Sequence, residues 1–173
     1  MFSQVQLLQT LDYHGKVFSE LSSTNRIVLL ASKASILEVC GWVEQAMDFV
    51  VQECANRSGL SEKRLKSVDE KYVKTTYGLH YDKHFEKMLI AVVGFKILEK
   101  IEATVPAEVI GLKNLLGDLT VLRNYYAHTH FDEAKPYPDG RLSIPNPSVM
   151  RAHAIQANLG LTAIENQLIA KGY

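Results

Sequence analysis

Apolar residues recur at three- and four-residue spacing along almost the whole chain, and strand signals are scarce. That spacing puts apolar side chains on one face of a 3.6-residue helix. It restricts the chain to an all-α fold, an up-and-down bundle of about five to six helices. At 173 residues the chain can fill one core and is too short for two comfortable domains, so residues 1–173 are expected to form a single helical domain.

The spacing predicts a first helix from Ser3 to Leu21, with Val5, Leu8, Leu11, Val17 and Leu21 facing inward. Ser22-Ser23-Thr24 interrupts it and offers an N-cap. A second helix is expected from Asn25 to Arg57, ~50 Å long if unbroken, with Ile27, Leu30, Leu37, Met47, Val50 and Cys54 among its inward residues. Ser58-Gly59 ends it. A short basic helix follows to about Thr76, and His80 to Ile101 carries Phe85, Met88, Leu89, Phe95 and Leu98 at core-facing positions. Pro106 suits the first position of the next helix, because the N–H that proline lacks has no intrahelical partner there. Thr129 to Pro145, rich in proline, is the one extended loop, and Asn146-Pro147 opens a last helix reaching about Ala170.

Nineteen Lys and Arg balance nineteen Asp and Glu. The neutral total excludes a protein that coats nucleic acid by bulk charge, so any RNA contact must be local. Cys40 and Cys54 sit on one rigid helical run, cannot be bridged to each other, and read as core residues of a reducing compartment. The first residues lack a secretion signal, and the longest apolar runs, 27–31 and 88–95, fall far short of a bilayer span. A cytoplasmic protein with no membrane partner is expected.

The end of the fifth helix departs from this pattern. Val109, Leu112, Leu115, Leu116 and Leu119 form its stripe, and Leu122-Arg123-Asn124-Tyr125-Tyr126-Ala127-His128 follows. Arg123 lies four residues after Leu119, on the continuation of the apolar stripe. A guanidinium stays charged and forks onto phosphate, while an imidazole can take and return a proton. Five positions on an ideal helix separate two side chains by roughly 140°. Arg123 and His128 therefore converge only through a distorted helix end or across a twofold interface. The plainer alternative is that both residues favour the negative end of the helix dipole.

This segment resembles the motif of the HEPN (higher eukaryotes and prokaryotes nucleotide-binding) family: an arginine, commonly followed by a polar residue, then a histidine after four to six residues. Arg123-Asn124-Tyr125-Tyr126-Ala127-His128 fits the shortest spacing with Asn in the favoured place. The likeness extends to residues 109–130 in detail and to most of the chain in architecture, and it is nearest to the prokaryotic toxin and defence branch. It implies a metal-independent endoribonuclease, without cofactor, working as a homodimer with the two motifs facing one cleft, and held in check by an antitoxin or regulatory partner protein. Under that likeness Arg123, His128 and Asn124 are the catalytic candidates. His128 would act as base or acid at the 2′-hydroxyl and leaving oxygen, and Arg123 would hold the phosphate. Tyr125, Tyr126 and His130 are candidates for substrate binding by stacking, hydroxyl donation or proton transfer. In the branch silenced by a nucleotidyltransferase, a tyrosine stands two positions after the histidine; here that position is His130, which puts that mode of regulation in doubt.

Two other features bear on function. His80 and His84 are one turn apart, a spacing that can bind zinc, but no third ligand or HExxH signature accompanies them, so no metal site is expected. Residues 57–87 hold eight Lys or Arg against five Asp or Glu, with Tyr72, Tyr77 and Tyr81 interleaved. Such a run either guides a phosphate backbone or forms the wet face of a helix. Three readings follow: a HEPN-type ribonuclease, a non-catalytic HEPN-like module that binds nucleotide, RNA or protein, and a helical regulator whose Arg and His are structural.

Overall fold

The structure, a computed structural model, describes residues 2–21, 26–127 and 145–173. Among them the fold is all-α, with no strand and seven α-helices. These are α1 (Val5–Glu20), α2 (Arg26–Arg57), α3 (Glu62–Val68), α4 (Glu86–Val93), α5 (Phe95–Thr104), α6 (Pro106–Ala127) and α7 (Pro147–Ala170). Two π-helical turns, Asp69–Val73 and Tyr81–Phe85, lie between α3 and α4.

The extra helix comes from Gly94. The span predicted to run unbroken from His80 to Ile101 is cut there, where φ is 76°, a left-handed conformation that only glycine adopts without a Cβ penalty. The Gly94 N–H closes α4 on the Ile90 carbonyl at 2.9 Å before the chain turns into α5. Phe95, expected in the core, is exposed as a consequence. Asn146 caps α7 through its side-chain oxygen, which accepts from the Ser148 N–H at 2.9 Å, with Pro147 in the first turn as the sequence indicated.

α2 and α7 run side by side in the same direction, and α1 and α6 each pack against both. Trp42 Nε1 donates to the Ser3 carbonyl and His14 Nδ1 meets Ser35 Oγ, both at 2.9 Å, so α1 is antiparallel to α2. Gly160 lies so near Leu112 that a Cβ on it would fall 3.0 Å from the leucine Cβ, and Gly111 faces Gln156. His153, about two turns earlier on α7 than Gly160, faces Asp118, further along α6 than Leu112, so α6 is antiparallel to α7. Arg57 ties the end of α2 to α7: its Nε donates to the Tyr173 carbonyl at 2.9 Å, and its NH2 is 3.6 Å from the buried Glu165. One apolar cluster draws residues from every helix, including Leu11, Ile36, Val43, Phe85, Leu116 and Ile164.

The phase of two helices differs from the sequence expectation. In α1 Leu7 and Leu11 are buried and Val5 and Leu21 are exposed; in the first half of α2, Val28, Leu29, Ile36 and Val39 are buried and Ile27, Leu30 and Leu37 are exposed. Both helices have apolar residues on more than one face, and contact between them selects the face. Cys40 and Cys54 are free and buried. No helix among the described residues is long and apolar enough to cross a membrane.

Candidate functional site at the end of helix α6

The apolar stripe of α6 carries Val109, Leu112, Leu115, Leu116 and Leu119 into the core. Its next two places go to different chemistry. Tyr126, three turns or so past Leu116, takes the core position at 1% exposure, while Arg123, one turn past Leu119, emerges at the edge of the core with 37% of its side chain exposed. Arg123 NH1 is 2.9 Å from Glu44 Oε1 on α2, a charge-assisted hydrogen bond at the point where α6 crosses α2. One turn earlier on each helix, the Cys40 thiol points at the Leu119 carbonyl, 3.8 Å away. Burial pushes the Cys40 thiol up to about 12, against the pull of the Arg123 cation, so it is not a nucleophile at neutral pH.

Asn124 faces solvent beside Arg123. Tyr125 is half-buried, its ring edge-on to Tyr126 with centroids 4.8 Å apart at 82°. Tyr126, a candidate for stacking or hydroxyl donation, has its ring packed in the core. Tyr125 keeps part of its surface. His128 and His130 lie outside the described residues. The structure thus brings Arg123, Asn124 and Tyr125 together on the surface of one helical turn.

The Glu44 carboxylate that binds Arg123 also lines a cleft of about 510 Å³ between α2, the Asp69–Val73 turn and the segment through Gly78. Asp48, one turn along α2 from Glu44, and Asp69 add two further carboxylates, and Lys74 and Tyr77 complete the rim. The Lys74 ammonium bonds to Asp69 and holds its carboxyl below the usual range; Gln52 Nε2 donates to the same carboxylate at 3.2 Å. Asp48 has the opposite fate. Burial, then the charges of Glu44 and Asp69, push its carboxyl up to about 6.

The histidine pair is occupied structurally. His84 Nδ1 accepts from the His80 backbone N–H at 3.2 Å, so that nitrogen carries no proton, and burial lowers the affinity of the ring for a second one. Gly78 lies flat against the same ring: a Cβ there would fall 2.5 Å from His84 Cε1. Among the described residues no group of three or more His, Cys, Asp or Glu side chains is placed to hold a metal ion. In the basic stretch, Lys66 pairs with Glu70 and Lys74 with Asp69, while Lys63, Arg64 and Lys71 are exposed.

Sequence reasoning missed the acidic wall. Glu44 and Asp48 were legible as two acids one turn apart within an otherwise apolar run of α2, which is the signal that such a helix borders a polar site. Comparison with protein-family models, with curated proteins and with solved structures found no match for this chain.

Proposed function

We propose that the protein is a metal-independent endoribonuclease of HEPN type, in which Arg123 and His128 form the reacting pair. The observation that carries this reading is the state of Arg123: a cation at the end of a core helix, oriented by Glu44 through one NH1 donor and half open to solvent. A guanidinium has five N–H donors. Among the described residues one bond to Glu44 holds NH1, and the other donors would serve a phosphate. In this scheme the 2′-hydroxyl next to the scissile phosphate loses its proton to an imidazole and its oxygen attacks phosphorus. The 5′-oxygen of the next nucleotide leaves with a proton, and a 2′,3′-cyclic phosphate remains. His128 supplies one of the two proton transfers, and Arg123 stabilises the negative charge that builds on the phosphoryl oxygens. Asn124, exposed beside the guanidinium, would hold a phosphate oxygen. A homodimer, with a motif from each protomer at one cleft, supplies the convergence that an undistorted helix denies, and a regulatory or antitoxin protein in the cytoplasm would restrain the activity.

A second reading has its own support. The acidic wall beside Arg123 disfavours a polyanion, which, within the alternative of a non-catalytic HEPN-like module that binds nucleotide, RNA or protein, favours the protein-binding form. Product chemistry separates the two. A nuclease of this type leaves 2′,3′-cyclic phosphate ends in the presence of a chelator and does not cleave a strand carrying a 2′-deoxynucleotide at the scissile position. Cleavage of the deoxy-substituted strand, or cleavage that needs a divalent cation, contradicts the proposal.

A further inference from the structure

The cleft next to Arg123 has a chemistry unlike that of a phosphate site. Its three carboxylates are in three different conditions: Glu44 is bonded to Arg123, Asp69 is bonded to Lys74 and Gln52, and the Asp48 side chain has no partner among the described residues. Phosphate is repelled from such a surface. A neutral ligand that offers N–H donors is not.

The remaining walls favour a flat apolar body. Met47, Val73 and Met88 line the cleft, and methionine sulfur packs well against aromatic rings. Tyr77 stands at the rim with 78% of its surface exposed, which leaves its ring open to stack on a flat ligand. The volume of about 510 Å³ lies within the range of small-molecule sites, roughly 300–1,000 Å³.

We propose that this cleft is a nucleobase pocket selective for guanine, with Asp48 accepting from the base edge and Tyr77 stacking on its face. Guanine alone among the four RNA bases presents two adjacent N–H donors, N1–H and the N2 amino group, to the two oxygens of one carboxylate. Uracil presents a single N–H flanked by carbonyl oxygens, which a carboxylate repels. Adenine and cytosine offer one amino group beside a ring nitrogen that accepts. Recognition of an unstacked base by an aromatic face and a Watson–Crick edge is the usual mode for single-stranded RNA. The Glu44 bond joins the pocket to Arg123, so a base held by Asp48 brings a neighbouring phosphate towards the guanidinium. The inference rests on the RNA reading for its biological sense, yet its test does not depend on cleavage.

The test is equilibrium binding of the four ribonucleosides, which carry no phosphate, to the full chain, measured by calorimetry, alongside D48N and Y77A. Guanosine is expected to bind at least about tenfold more tightly than uridine. D48N removes that preference, and Y77A weakens guanosine by about tenfold, the usual loss on removing a stacking ring. Tyr77 is exposed enough that its removal leaves the fold intact. Equal binding of the four nucleosides, no binding, or a guanine preference that survives D48N overturns the proposal. So does tight binding of a polyamine without nucleoside preference, which would make the cleft a site for cations. Guanine-selective binding without RNA cleavage would retain the pocket and remove the nuclease; cleavage without base preference would do the reverse.

Discussion

Arg123 and Glu44 make an ion pair that is worth little as stabilisation. Both side chains are partly exposed, 37% and 26%, and exposed pairs contribute about 0.2–1 kcal/mol. E44Q keeps a hydrogen-bond acceptor at the guanidinium and removes the charge, so the melting temperature should move by only a few degrees. If Glu44 orients Arg123 for phosphate, E44Q lowers kcat for RNA cleavage about tenfold while KM changes little, and an unchanged kcat would assign the pair to structure alone. Asp48 gives a sharper case at the same scale. Its carboxyl, held at about 6 against an ordinary 3.8, is less easily ionised folded than unfolded. A group raised in the folded state gives its stability at low pH and loses it as pH rises through the folded value. Asp48 therefore costs stability at neutral pH. The difference corresponds to ~3 kcal/mol, which solvent screening of a partly exposed group reduces to about 1 kcal/mol. D48N should be more stable than the parent by that amount at pH 7.5 in denaturant titration, and the gain should vanish near pH 4. A variant less stable at pH 7.5 would show that Asp48 has a partner worth more than its charge costs.

At the scale of elements, the break between α4 and α5 is the clearest case of a boundary set by one residue. Gly94 sits at φ 76° with no atom within 4 Å of the place where a Cβ would be, so G94A meets no steric contact and only backbone strain. The expected loss is ~1–2 kcal/mol, read as a drop in unfolding free energy with the same denaturant slope; no loss would mean that the two helices fuse at little expense. The helices themselves were legible because apolar spacing fixes their existence. Their phase was less so. Leu7 and Leu11, rather than Val5, face inward because α1 must present a face to α2 where Trp42 and Ser35 bind it. Gly94 escaped notice because apolar residues run across it from Met88 to Phe95. In α6 the spacing located Arg123 on the extension of the stripe, whereas the burial of Tyr126 depends on what packs over the helix end.

At the scale of the whole molecule, three histidines among the described residues couple the fold to acid. Burial lowers the proton affinity of His14, His84 and His153. The groups around them are varied: Ser35 and Glu38 face His14; His80, Lys87, Glu44 and Gly78 face His84; and Asp118 faces His153, whose Nδ1 is buried without a hydrogen-bond partner among the described residues. The unfolded chain takes up these protons at the ordinary 6.5 and the folded chain only at lower pH. Stability is present above 6.5 and is lost as pH falls through the folded values. The melting temperature should decline between pH 7 and pH 5, with a shallower slope in H153L, and an identical slope would mean that His153 titrates normally.

The candidate site was legible as an arginine and a histidine on a helix end, but its acidic wall came from residues about eighty positions away in sequence, which only the packing of α2 against α6 brings near. The central claim is that Arg123 and His128 cleave RNA. It is tested most directly by the rate of RNA cleavage in chelator for the parent chain, R123A and H128A, each with its melting temperature. The account predicts cleavage by the parent and a loss of at least about a hundredfold in either variant, the range for a general acid–base group, with melting temperatures within a few degrees. Equal cleavage by the parent and H128A, or none by the parent, contradicts it.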